Sequence, residues 1–348
     1  MGYKISQNPS VSVCIPVFNG IKYLNEALDS ILNQSFAHIE IIAIDDNSSD
    51  GSYELLLSYA IHDPRIKVYR NKVKKGLVGN WNECIKYANG VWIKFVFQDD
   101  IIHSSCIEKQ LKCAESMSSD YRLIFSKRRF FFEDDTPSNM EWYRQKKSYW
   151  DLFLDTRFIT PDMVIKSLIK HPSMNLFGEP TSFLIEKNIF SKYGLFDSNF
   201  RQLCDLEFWL RVGTEHGFGF VNEELVLFRV HGNSTSASNL SEKEYESKYL
   251  DKLLLHRKWL YDDNYSFMRL QFSSWPSSLF FQTQFEISAR RAKLSLEKTP
   301  NNNAMAAWAS FKEKFPDVHS ASMKSFFSLA IKYFIARTSI LLKLSFNS

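Results

Sequence analysis

The residues able to do chemistry in this chain stand at the ends of apolar runs. "VWIKFVFQDD" (91 to 100) reads as a buried strand that stops at two adjacent carboxylates, Asp99 and Asp100. "IEIIAIDDNSSDGS" (39 to 52) runs into Asp45 and Asp46, and "VSVCIPVFNG" (11 to 20) runs into Phe18 and Asn19. Paired carboxylates with no thiolates or paired histidines nearby are hard oxygen donors, suited to Mg2+ or Mn2+ bridging a diphosphate. The same pair could equally end its strand and cap a helix beginning near Ser104, and these ten residues alone leave both readings open.

Positioning such groups requires the elements around them. "VSVCIPVF" is a β-branched run, and "IKYLNEALDSILNQ" puts Ile21, Leu24, Leu28, Ile31 and Leu32 on one helical stripe. Strand and helix then alternate: "IEIIAID", a helix from about Gly51, "IKVYR", a helix near 79 to 88, "VWIKFVF", and a helix from about Ser104. This alternation predicts an α/β fold with a mostly parallel, Rossmann-like sheet, and strands so uniformly apolar predict helices on both faces. Ligands of such sheets bind outside the carboxyl ends of the strands. Phe18, Asp45, Asp46, Asp99 and Asp100 all fall on that edge. The first turn, "PVFNGIKYL", offers only Gly20 where a dinucleotide fingerprint has three glycines, and no Walker loop is present. Acidic side chains there need a cation between themselves and a phosphorylated ligand.

Composition narrows the class. A chain of 348 residues with 45% hydrophobic and 24% charged residues is globular, and a dispersed net charge of +4 argues against nucleic acid as a partner. Five cysteines without a CxxC pair point to reduced thiols. "MGYKISQNPS" lacks the apolar stretch of a secretory signal, so a cytoplasmic location is expected, extending at most to the inner face of the membrane.

Four segments in order, "VSVCIPVFNGIKYLNEALDSILNQSF", "EIIAIDDNSSDGS", "GLVGNWNECIKYANGVWIKFVFQDD" and "GEPTSFLIEKNIFSKYGLFDSNFRQLCDLEFWLRV", resemble the family-2 glycosyltransferases of GT-A fold. The resemblance covers about residues 10 to 235. Gln98 stands where many members have the first carboxylate of a DxD, and Cys204 precedes Asp205 where Glu is common. The resemblance implies that Pro16, Phe18 and Asn19 line the nucleotide pocket, with Phe18 stacking on a pyrimidine. It further implies that Asp46 accepts the base N3–H, which uracil and thymine offer and cytosine does not. Asn80 and Asn82 are weaker candidates for donor contacts and serve equally well as residues of a helix N-terminus. Asp99 is expected on the donor ribose or sugar. Asp100 is expected on Mn2+ or Mg2+, and His231, in an Arg-x-His segment, on the same ion or a phosphate oxygen. Asp205 opens a helix, where the dipole favours a carboxylate, and the resemblance makes it the general base in an inverting displacement. Glu179 and Trp209 are placed on the acceptor side.

The expected organisation is a GT-A domain over 1–240, with a nucleotide-sugar half (about 10–126) and an acceptor half (about 127–240), then a C-terminal helical region, 241–348. Trp142, Tyr143 and Trp150, in an insertion over 127 to 178, could stack on sugars or fill a core. The tail "SFFSLAIKYFIARTSILLKLSF" carries three cations and no acid, so it is read as a basic amphipathic segment, either in peripheral contact with an anionic membrane or docked on the enzyme's own helices. The expected reaction is metal-dependent inverting transfer from a UDP- or dTDP-sugar to a glycan or lipid-linked acceptor. A sugar nucleotidyltransferase and an inactive glycan-binding module are the alternatives. Acidic groups from separate segments, Asp46, Asp100 and Asp205, are expected to converge on one rim.

Overall fold

A computed structural model of the chain describes residues 9–117, 122–133, 156–242, 244–274, 276–299 and 301–346. Trp142, Tyr143 and Trp150 lie outside the described residues. The chain forms two compact units, one of Met1–Ile159, Leu176–Ser198 and His216–Gly232, the other of Thr160–Asn175, Asn199–Glu215 and Asn233–Ser348.

The first unit is a mixed α/β layer structure around a sheet of nine strands among the described residues. These are β1 (Val11–Val17), β2 (Ile39–Asp45), β3 (Ile66–Arg70), β4 (Trp92–Phe95), β5 (Ile101–Ile102), β6 (Leu123–Phe132), β7 (Phe158–Ile159), β8 (Phe183–Glu186) and β9 (Phe218–Val230). Their spatial order is β3-β2-β1-β4-β8-β6-β9-β5, with β7 on β9. β3, β2, β1 and β4 are parallel, as the strand and helix alternation predicts. β8 then inserts antiparallel between β4 and β6, and β6 pairs in parallel with β9 through register shifts at Ser126–Arg128.

Helices α1 (Ile21–Leu32), α2 (Ser52–His62), α3 (Gly76–Tyr87), α4 (Cys106–Glu115) and α6 (Asn188–Tyr193) belong to this unit. The predicted α1 stripe is the buried one, with Leu24, Leu28 and Ile31 packing on Val11, Val13 and Ile15 of β1. Each such side chain taken fully from water contributes about 1.5–3 kcal/mol, which fixes the strand ends to which the polar residues are attached. α4 begins at Cys106, and β5 separates it from Asp99 and Asp100, so neither carboxylate caps it.

The second unit is helical. It holds α5 (Pro161–Lys170), α7 (Cys204–His216), α8 (Thr235–Glu242), α9 (Asp251–Tyr261), α10 (Ser266–Gln271), α11 (Leu279–Lys298), α12 (Asn302–Lys314), α13 (Asp317–Ser322) and α14 (Phe326–Phe346), the last residue of α7 falling in the first unit. Thr160 accepts a bond from the Met163 amide at the start of α5, and Pro161 occupies its first turn. Leu250, Leu253, Phe285, Ala289, Ala292, Trp308, Val318 and Ala321 form a core among the later helices. Among the described residues no helix is long and apolar enough to cross a membrane.

Candidate active site

The parallel pairing of β1 with both β2 and β4 brings three strand ends to one edge of the first unit. The loop after β2 latches onto the loop after β1. The Asn19 amide donates to Ser48 Oγ (2.9 Å), the Ser49 amide to Asn19 Oδ1 (2.9 Å), the Gly20 amide to Ser52 Oγ (3.0 Å) and the Ile21 amide to Asp50 Oδ2 (3.0 Å). The bond to Ile21 satisfies the first amide of α1 from another segment, and the rest tie the turn before the helix, which has no side-chain cap of its own. Asn19 and Asn47 take positive φ, a conformation Asn tolerates better than most residues.

Gln98 makes the second latch. Its Oε1 accepts from the Phe18 amide (2.8 Å) and its Nε2 donates to the Phe18 carbonyl (3.1 Å), so a side-chain amide pairs with the backbone as a strand would. A Cβ at residue 20 would lie 2.3 Å from Gln98 Cδ, which explains Gly20 without any need for a phosphate cradle. Phe18 is half-buried, and the Lys74 ammonium sits over its ring, 3.4 Å from the centroid. Pro16 is half-buried on β1, in register with Ile44.

Asp46 is buried and organises the loop between β3 and α3. Its Oδ1 accepts from Asn71 Nδ2 (2.8 Å) and the Lys75 amide (2.8 Å), and its Oδ2 from the Gly76 amide (2.8 Å). The two asparagines brace the fold rather than open space. Asn80 Nδ2 donates to the Ile44 carbonyl (2.9 Å) while its Oδ1 accepts from Asn71 (3.1 Å). Asn82 bonds the carbonyl and amide of Phe196 (2.9 and 3.2 Å). The Asn82 amide is thus engaged by the main chain at both ends, and the Asn80 amide by one carbonyl and the Asn71 side chain, so that in this structure both brace the fold.

At the end of β4 the two carboxylates have separate partners. Asp100 is 1% exposed; its Oδ2 accepts from Thr181 Oγ1 (2.5 Å) and its Oδ1 from the Arg229 amide (3.3 Å). Burial pushes its carboxyl well above the ordinary range, and the neighbouring Asp99 charge adds to the effect against those two bonds. Thr181 is itself held by Lys94, a buried lysine in mid-strand whose Nζ donates to the Thr181 carbonyl (2.6 Å) and Gln110 Oε1 (3.0 Å). Asp99 is half-buried, with Oδ2 3.0 Å from His231 Nε2, and its carbonyl accepts from Arg229 Nε (3.1 Å). His231 Nδ1 is buried and makes no hydrogen bond among the described residues. Glu179 pairs with the buried Arg128 guanidinium (2.6 Å). Among the described residues no group of three or more His, Cys, Asp or Glu is close enough to enclose a metal.

Asp205 belongs to the second unit, in the first turn of α7. It is 8% exposed, and its Oδ2 accepts from Asn175 Nδ2 (2.7 Å). The three amides just before α7, of Arg201, Gln202 and Leu203, all donate to the buried Asp251 (3.0, 2.6 and 2.9 Å). Burial raises the Asp251 carboxyl to about 6, with those amides and Arg201 acting in the other direction. Trp209, expected on the acceptor side, is wholly buried with its ring against Phe208 and fills a core position. The sequence reading missed Lys94, Thr181, Asn175 and Asp251. Only a lysine inside an apolar strand could have drawn attention, since a cation there needs buried acceptors.

Residues 12–169 match the family described as "Glycosyl transferase family 2". The uncharacterized glycosyltransferase RP339 of Rickettsia prowazekii is 28% identical over 252 residues, 71% of this chain and 73% of that protein. Among solved structures, S. aureus TarS (residues 1–349) in complex with UDP-GlcNAc superposes with a TM-score of 0.57 at 17% identity, over 81% of this chain and 80% of that one. The mannosyltransferase PcManGT of Pyrobaculum calidifontis, in complex with GDP-Man and Mn2+, gives 0.50 at 10% identity, over 98% and 90%. A sheet of this topology, carboxylates at the carboxyl end of its central strands, and these likenesses agree: residues 12–169 match the family-2 glycosyltransferase domain, and the chain has the GT-A fold of its structural neighbours.

Proposed function

We propose that the enzyme transfers a sugar, with inversion, from a UDP- or dTDP-sugar to a hydroxyl of a glycan or lipid-linked acceptor, as in the assembly of a cell-surface polysaccharide or lipopolysaccharide. The observation that carries this reading is the pair Asp99–Asp100 at the end of β4, beside the Arg229–His231 segment, in a chain of this family. TarS was solved with UDP-GlcNAc and PcManGT with GDP-Man and Mn2+, which supports a nucleotide sugar as donor here. A lipid-linked acceptor would bring the enzyme to the cytoplasmic face of the membrane.

Phe18 would stack on the base, displacing Lys74 from its ring. Asp46 Oδ2 carries one bond and so keeps an acceptor position for an imide N–H. The donor set at the end of β4 suits a hard divalent ion, because Asp100 offers oxygens short of positive charge and His231 an unpartnered nitrogen. Asp100 and His231 would hold Mn2+ or Mg2+, an ion of a type that needs few protein ligands when a diphosphate supplies others. Such an ion stabilises the charge that builds on the departing diphosphate. Asp99 would orient the donor ribose or sugar through its hydroxyls. As the acceptor oxygen bonds to the anomeric carbon and the bond to phosphate breaks, Asp205 takes the acceptor proton. Glu179 remains on the acceptor side, while Asn80, Asn82 and Trp209 hold the fold.

The test is transfer or hydrolysis of UDP-sugars with Mn2+. EDTA and Asp100→Ala should each abolish turnover while unfolding stays cooperative, and Asp205→Asn should lower kcat about 100-fold or more. Turnover undiminished by EDTA would remove the metal, and full activity in Asp205→Asn would remove the base.

A further inference from the structure

Helix α14 has two apolar faces. Leu329, Ala336 and Ile340 are buried, Tyr333 stacks on Phe280 (5.9 Å between centroids), and Ser339 Oγ meets Ser277 Oγ (3.1 Å), so this face docks the helix within its own unit against α11 and α5. Phe327, Ile331, Phe334, Ile335 and Leu342 are exposed, the two phenylalanines by 79% and 72%. At 3.6 residues per turn these five fall on one stripe, about 180° from the docked face. Lys332 lies about 100° to one side of the stripe's centre and Arg337 about 100° to the other. Lys332 is exposed, whereas Arg337 is half-buried, its Nε out of solvent and its guanidinium leaning on the Tyr333 ring, 5.9 Å from the centroid. From Val318 to the end the sequence has no Asp or Glu.

We infer that the exposed face of α14 is a docking surface for an anionic lipid membrane, with the helix lying in the interface, Phe327, Phe334 and their neighbours inserted, and the cations on its shoulders at the headgroups. Cations that look scattered on a projection of the tail alone make sense once the docked face is known, because they fall between a protein side and a lipid side. Long basic side chains flanking an apolar stripe can keep their charge at the headgroup level while their stems lie along it. A second copy of the chain is disfavoured as the occupant, since pairing this stripe with itself would bring like charges together without a compensating acid. The inference deepens the proposal that the enzyme works at a membrane face, but it stands on α14 and not on the catalytic residues.

The experiment is sedimentation of the full chain with phosphatidylcholine vesicles, with and without phosphatidylglycerol, alongside hydrolysis of the nucleotide sugar in solution. The chain should bind the anionic vesicles and be released by salt. Phe327→Ser and Phe334→Ser should each weaken partition about tenfold while leaving solution turnover and melting temperature unchanged, because neither side chain is in the core. Lys332→Glu should lower binding to anionic vesicles alone. Absence of binding by the wild type, or equal binding by the double phenylalanine variant, overturns the inference and leaves the transferase reading untouched. So does a soluble dimer that the same double variant dissociates, since the stripe would then cover a second copy.

Discussion

Gln98 ties the end of β4 to the backbone of Phe18, 80 residues away, with one donor and one acceptor bond. Many family members have a carboxylate at this position, and a carboxylate could accept from the Phe18 amide but could not donate to its carbonyl. Gln98→Glu should therefore loosen the loop that carries Phe18, raising the donor KM about tenfold with kcat little changed, which steady-state kinetics on a UDP-sugar would read. An unchanged KM would show that the loop stands without this latch. Asp99 and Asp100 were legible because an apolar strand ending in charge says where the charge must lie. The Gln98 latch was not, since a side chain's main-chain partner depends on which two strand ends become neighbours. Asn80 and Asn82 illustrate the converse: the resemblance suggested donor contacts, and in the fold their amide nitrogens bond the carbonyls of Ile44 and Phe196.

At the scale of elements, the start of α7 is shaped by a residue in α9. Asp251 gathers three consecutive amides from about 50 residues earlier in the chain, and so fixes the turn that delivers Asp205. An amide at 251 would set an N–H against those donors. Asp251→Asn should reduce kcat about tenfold or more and leave the donor KM unchanged, with Asp251→Glu recovering part of the loss. The same carboxyl makes stability depend on pH. Its native value of about 6 lies above that of an ordinary unfolded aspartate, so the folded state holds the proton more tightly. Its contribution is full below about pH 4 and lost as pH rises through about 6, and the slope in denaturation midpoint over that range should flatten in Asp251→Asn. Arg201, facing it, favours ionisation and limits the effect. Helix α1 was legible at this scale through its stripe; the support of α7 was not, because nothing in "LLLHRKWL" marks the preceding Asp251 as a partner of Arg201–Leu203.

For the molecule as a whole, ligand binding to the native state alone must raise the melting temperature. UDP with Mn2+, each at about a hundredfold excess over its Kd, should raise it by about 2–4 °C, and UDP with EDTA by much less. Equal shifts with and without the metal would argue that the diphosphate is held by protein groups alone. A panel of nucleotide sugars read the same way would rank donors. The two units bear on this scale as well, since helices from 160–175 and 199–215 join the C-terminal helices in a single unit, whereas the sequence suggested a division near residue 240.

The parallel half of the sheet, the edge on which polar groups collect and the likeness to family-2 glycosyltransferases could all be read from the chain itself. This is so because hydrophobic period and strand termination are local properties of the chain. Only the tertiary structure decided that β8 inserts between β4 and β6, that Lys94 and Thr181 hold Asp100, that Asn175 and Asp251 support Asp205, and that α14 keeps a second apolar face in solvent. Each of these depends on which distant segments become neighbours, and hydrogen bonds reaching across the chain leave no period or spacing in the sequence from which they could be read.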